Sequence, residues 1–146
     1  CIRDRLKRLL ESQKMTEQEA ECIRIRDIRR FVESGLGQRM KKAAMKKHLY
    51  REQPFVIKRS ASMLDDGWKN ETVLVQGIID AYFMEEEEIV LVDYKTDRVK
   101  RGQEQKLIDL YHVQLEDYAR ALERMTGKKV KEKIIYSFTL QKEILL

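Results

Sequence analysis

Residues 76–97 read Gln-Gly-Ile-Ile-Asp-Ala-Tyr-Phe-Met-Glu-Glu-Glu-Glu-Ile-Val-Leu-Val-Asp-Tyr-Lys-Thr-Asp, and the stretch predicts two adjacent strands joined by an acidic turn. Side chains on a strand alternate between faces with period two. Ile89, Leu91, Asp93 and Lys95 therefore share one face, and Val90, Val92 and Tyr94 share the other. An acid and a base two residues apart close an otherwise apolar strand and point into the same space. The preceding strand, expected over about Thr72 to Met84, carries Asp80 among Leu74, Ile78 and Tyr82 on one face. A carboxylate buried in that way is costly unless a charge compensates it, and a bound cation does so. Two carboxylates with a lysine at a sheet edge point to a hard-metal hydrolytic site. Glu85 to Glu88, a like-charge run at the hairpin position, is expected to be a solvated turn.

Outward from this pair, Leu49 to Ala61 reads as a first strand, with Pro54 favouring an edge position or a bulge. Asp65-Asp-Gly67 signals a turn. A basic loop, Asp97 to Gly102, leads into a long helix from about Gln103 to Met125. Leu107, Tyr111, Leu115, Tyr118, Leu122 and Met125 form its apolar stripe, and Gly127 ends it. A fourth strand is expected over Val130 to Leu140. On the N-terminal side, Ile2, Leu6, Leu9 and Leu10 mark a short amphipathic helix. Thr16 and Glu19, at capping-box spacing, start a second helix lined by Ile25, Ile28 and Val32. Ser34-Gly-Leu-Gly37 reads as an interruption before a basic helix through Met40 to about Lys47. The order, helices followed by β-β-β-α-β, predicts an α/β fold of mixed α+β character, with a mixed central sheet and flanking helices. Residues 1–146 are expected to form one domain, with a helical part over 1–47 and the core over 48–146.

The 146 residues suffice for one core. At 42% hydrophobic and 38% charged, with one proline, the chain is compact and charge-rich rather than disordered. No apolar run reaches membrane-span length, so no membrane partner is expected. Two cysteines, Cys1 and Cys22, lack metal-ligand spacing and suit a reducing interior such as a cytoplasm. The net charge of +5 suits a polyanionic partner and equally serves solubility.

Gly77-Ile-Ile-Asp80, then Asp93-Tyr-Lys95-Thr-Asp97, then Gln114-Leu-Glu-Asp-Tyr118 resembles the PD-(D/E)XK nuclease superfamily in its RecB-like branch, and within it the C-terminal nuclease domains of AddA-type helicase–nuclease proteins. The resemblance covers most of the chain and implies a restriction-endonuclease-like core. It implies a magnesium-dependent DNA nuclease, an exonuclease of an ATP-dependent helicase–nuclease acting in double-strand break repair and recombination. Manganese would substitute for magnesium. DNA and a second helicase–nuclease subunit would be the partners, in a bacterial cytoplasm. Asp80, Asp93 and the backbone carbonyl of Tyr94 would hold the metal, and Lys95 would orient the attacking water or stabilise charge on the phosphate. Gln114 and Tyr118, four apart on one helix face, would lie near the site and contact DNA. Glu52 matches a glutamate of the family's first strand and would be an accessory to the metal shell. Arg98, Lys100 and Arg101, in the loop after the catalytic strand, could meet phosphates.

RecB-like nucleases carry a histidine metal ligand on a helix before the first strand. This chain has only His48 and His112, and neither stands in that context. The expectation is a fragment whose histidine lies upstream of Cys1 and which cleaves poorly alone. No G-x-x-x-x-G-K-[S/T] occurs, so ATP dependence would belong to a helicase region elsewhere. The competing expectation is a non-catalytic module on the same fold that binds nucleic acid or a protein partner.

Overall fold

The computed structural model describes residues 25–60 and 72–146. The elements are α1 (Ile25–Glu33), α2 (Gly35–Met45), β1 (Leu49–Ser60), β2 (Thr72–Glu85), β3 (Glu88–Lys95), α3 (Glu104–Thr126), β4 (Val130–Ser137) and β5 (Lys142–Leu145). The expected helix over Ile2–Leu10, the Thr16–Glu19 capping box and the Asp65-Asp-Gly67 turn lie outside the described residues.

The five strands form one mixed sheet in the order β1-β2-β3-β4-β5. β3 and β4 are parallel and the other neighbours antiparallel. A parallel pair requires a long crossover, and α3 supplies it. β3 is covered on both faces, so Ile89 to Tyr94 are all buried. Ile89 and Leu91 pack with Leu107, Leu115, Tyr118 and Leu122 of α3. Val90, Val92 and Tyr94 pack on the opposite face with Leu36, Met40 and Ala43 of α2. This is the alternation expected of the strand. Each fully buried leucine of α3 contributes roughly 1.5–3 kcal/mol, which seats the helix firmly over β3.

Four local expectations are corrected. The interruption expected over Ser34-Gly-Leu-Gly37 is confined to Ser34, whose backbone is extended, and Gly35 already starts α2. Ser34 caps it by accepting the Gly37 N–H, and a Cβ at residue 37 would collide with the Phe31 carbonyl oxygen of α1. The expected fourth strand ends at Ser137, where the chain turns through Gln141 (φ 54°) into β5. Ile25 and Met125 are exposed, each lying off the buried side of its helix. Glu85 is not a solvated turn residue. It makes two hydrogen bonds to Arg39, at 2.9 and 2.8 Å, and an ion pair with Lys131, while Arg39 also bonds Glu132. Only Glu86 and Glu87 form the exposed turn, both at positive φ, as a two-residue hairpin requires.

Candidate active site

The antiparallel ladder between β2 and β3 runs from Glu85–Glu88 to Ala81–Val92, the last of its pairs. One step further, Asp80 stands opposite Asp93. Beyond that point the rest of β2 pairs with β1 and the end of β3 pairs with β4. The sheet therefore forks at the two carboxylates. Asp80 occupies the opening, and its Oδ2 accepts the Tyr94 backbone N–H at 2.8 Å, replacing a lost ladder bond. Both carboxylates are buried.

Asp80 reaches the α3 side of the sheet through a slip in the alternation. Ile79 and Tyr82 both pack in the α3-side cluster although they are three residues apart, while Ala81 and Phe83 pack on the α2 side. β1 slips at the matching place. Tyr50 stacks on Tyr82 with ring centroids 4.7 Å apart, and Phe55 meets Tyr118 edge-on at 5.0 Å. Between them Glu52 has φ 50°, a left-handed conformation that side chains other than glycine seldom adopt. Leu74 and Ile78 do not frame Asp80 as expected. They lie before the slip, and both are exposed.

Lys95 extends from the end of β3 toward α3. Its Nζ is 2.7 Å from Asp93 Oδ2, donates to Gln114 Oε1 at 3.0 Å, and lies 3.9 Å from the centroid of the Tyr111 ring. The Tyr111 hydroxyl donates to Asp97 at 2.8 Å. Tyr118 lies close enough to the carboxylates that burial first, and then Asp93 and Asp80, push its phenol well above the usual range. It stays a neutral hydroxyl. Burial and the negative charge of Asp80 do the same to Tyr94.

Asp93, Lys95, Asp80, Gln114 and Tyr118 thus lie near one another. Glu52 is exposed on the neighbouring strand. Arg98, Lys100 and Arg101 are exposed on the loop that follows β3. That loop is anchored by the Thr139 hydroxyl on the Asp97 carbonyl at 2.7 Å. His48 is exposed at the opposite end of β2, where its carbonyl accepts the Met84 N–H, and His112 lies on the exposed side of α3. A hollow of about 730 Å³, lined by Lys42, Tyr50 and Lys128 among others, also opens at that far end and includes neither carboxylate. Tyr111 was expected only as a member of the apolar stripe. Its spacing of three from Gln114 on the same helix face was the available signal.

The donor set suits a hard divalent cation. Asp93 Oδ2 is buried and, despite its nearness to Lys95, has no hydrogen bond of acceptable geometry. Its nearest charge is the Lys95 ammonium, and the missing directed hydrogen bond leaves lone-pair capacity that a cation could use beside that ion pair. Asp80 and Asp93 offer carboxylate oxygens, which magnesium and manganese prefer, and such ions keep several waters. Among the described residues no three His, Cys, Asp or Glu side chains gather into a complete cage.

A family model for the PD-(D/E)XK nuclease superfamily matches residues 2–144. The chain belongs to the PD-(D/E)XK nuclease superfamily. The forked sheet, with an aspartate on each arm and the lysine two residues beyond the second, is this superfamily member's candidate centre. The chain is also similar to the A subunit of the ATP-dependent helicase/nuclease of Thermoanaerobacter sp. (strain X514), 43% identical over 141 residues, covering 94% of this chain and 11% of the relative. The protein of the same name from Acetivibrio thermocellus is 43% identical over 142 residues, with the same coverage. That from Clostridium novyi (strain NT) is 38% identical over 148 residues, covering 98% of this chain and 12% of the relative. The chain thus spans about a tenth of the length of these curated relatives. No helix among the described residues is long and apolar enough to cross a membrane.

Proposed function

We propose that the chain is the nuclease domain of an ATP-dependent helicase–nuclease, hydrolysing DNA phosphodiester bonds with magnesium or manganese, as an exonuclease in double-strand break repair and recombination. The observation that carries the reading is the meeting of two buried carboxylates, Asp80 and Asp93, just past the last β2–β3 pair, with the Lys95 ammonium 2.7 Å from Asp93. A divalent cation held by these carboxylates and the Tyr94 carbonyl would supply charge neutralisation and activation of water.

The protein's own groups do the rest. Asp80 is fixed by the Tyr94 N–H, so its carboxylate cannot swing out of the opening. Lys95, an ammonium donor at the rim, orients the attacking water or stabilises negative charge building on the phosphate. Gln114 holds that ammonium in place, and Gln114 and Tyr118 present α3 to the DNA strand. Arg98, Lys100 and Arg101 meet backbone phosphates along the neighbouring loop. A helicase motor and a second subunit would feed the strand, and ATP would act only there. With two carboxylates and a carbonyl holding metal loosely, the 146 residues alone would be a weak nuclease.

Cleavage of labelled single-stranded DNA with manganese tests the reading in the full protein. Wild type should cut, and Asp80→Ala, Asp93→Ala and Lys95→Ala should each lose the activity. Retained DNA binding with no cleavage by wild type would favour a non-catalytic binding module instead.

A further inference from the structure

Lysine has a flexible four-carbon stem and loses about 2 kcal/mol of rotamer freedom when it is aimed at one point. Lys95 is confined from three directions. Asp93 approaches from its own strand, Gln114 accepts one N–H from α3, and the Tyr111 ring lies under the ammonium at 3.9 Å. These three contacts differ in what they consume. An ammonium has three donors. Gln114 takes one. The Asp93 contact lacks hydrogen-bond geometry, and a ring face attracts the charge without taking a directed N–H. The ring therefore steadies Lys95 while leaving donors for a water or a phosphate oxygen. The ring is itself aimed, because the Tyr111 hydroxyl is bonded to Asp97 at 2.8 Å, two residues beyond Lys95.

We propose that Tyr111, oriented by Asp97, is a positioning residue for Lys95: its ring holds the ammonium by a cation–π contact so that the free donors face the scissile phosphate. This rests on the nuclease reading above, yet the contact itself can be tested without cleavage. The competing role for Tyr111 is apolar packing in the α3 stripe, which a leucine could fill.

The contact is read by side-chain NMR of the 146-residue chain. In wild type the Lys95 ε-methylene protons should be shifted upfield by the ring, in Tyr111→Phe the shift should be smaller because the ring is no longer aimed by Asp97, and in Tyr111→Leu it should vanish. Cleavage in the full protein gives the second readout. Tyr111→Leu should lower kcat roughly five- to thirty-fold, the span of a desolvated cation–π contact, with KM for DNA and manganese affinity unchanged. Tyr111→Phe, which keeps the ring but loses its bond to Asp97, should fall between wild type and Tyr111→Leu in kcat, and full wild-type kcat there would remove Asp97 from the proposal. A Lys95 signal without ring shift in wild type, or wild-type kcat in Tyr111→Leu, overturns the proposal. Absence of cleavage by wild type would instead defeat the nuclease reading, and the ring shift would still decide whether Tyr111 holds Lys95; undiminished cleavage by Lys95→Ala would overturn the catalytic part of the proposal.

Discussion

Asp80 Oδ2 accepts the backbone N–H of Tyr94 at 2.8 Å, so the first carboxylate is fixed by the very strand that carries the second. The bond does two jobs. It satisfies an N–H left over where β2 and β3 part, and it holds a negative charge opposite Asp93. The two can be separated. Asp80→Asn retains an oxygen that can accept the N–H but loses the charge. It should bind manganese at least tenfold more weakly while losing less than about 1 kcal/mol of stability. Asp80→Ala leaves the buried N–H unpaired and should cost about 1–3 kcal/mol as well. Urea unfolding of both variants, set beside their metal titrations, checks this. Equal stability of the two would show that the bond contributes nothing.

Glu52 stores backbone strain. Its left-handed φ of 50° in mid-strand costs a non-glycine residue of order 1 kcal/mol or more, and glycine escapes most of that. Glu52→Gly is expected to stabilise the fold by about 1 kcal/mol, and Glu52→Val, β-branched at a positive φ, to destabilise it by more than that. Thermal unfolding measures both. A glycine variant that melts well below wild type would contradict the conformation.

The Arg39 hydrogen bonds hold the Glu85 carboxyl down at about 2 against the opposing cost of burial, and Lys131 helps. The folded pKa lies below the unfolded value near 4.5, so the stabilisation is fully present above about pH 4.5 and is lost as pH falls toward 2. Because the network is partly exposed, we expect roughly 2 kcal/mol rather than the full linkage value. Wild type should exceed Arg39→Gln by that amount at pH 7, and the gap should close at pH 2. A gap that persists at pH 2 would assign the effect of Arg39 to packing on Phe83, 5.6 Å from its guanidinium.

Much of this was legible from residue order because it depends on period and composition. The alternation of Ile89 to Lys95, Pro54 on an edge strand, and Gly127 in a left-handed cap (φ 70°) all follow from local chemistry. The nearness of Gln114 to the site came only from the resemblance, and its hydrogen bond to Lys95 is a tertiary contact that residue order does not show. What was hidden is conformational or tertiary. Nothing in Arg51-Glu-Gln53 announces a positive φ, so the slip that turns Asp80 and Tyr82 to the α3 side was invisible, and Leu74 and Ile78 were assigned to the wrong surroundings. The interruption at Ser34 was legible, but the start of α2 at Gly35 was not, because the glycine at 37 serves a close approach to the Phe31 carbonyl of α1. β5 has four residues, too few for a period to show.

The loop after β3 should contribute salt-dependent affinity. Each phosphate contact adds about 0.7 to the slope of log affinity against log salt for single strands. Lys100→Ala with Arg101→Ala should lower that slope by about 1.4 and leave manganese binding intact. Fluorescence anisotropy over a salt series reads it directly. Parallel lines for variant and wild type would place the DNA elsewhere.

Asp80 and Asp93 are proposed to hold one divalent cation together at the fork of the sheet. Calorimetric titration of manganese into wild type and Asp93→Ala, with Lys95→Ala as the control, tests it most directly. A protonated lysine is no ligand, so its removal should spare the site. The account predicts one bound ion in wild type and in Lys95→Ala, and none in Asp93→Ala at the same folded circular dichroism. An isotherm unchanged by Asp93→Ala would contradict it.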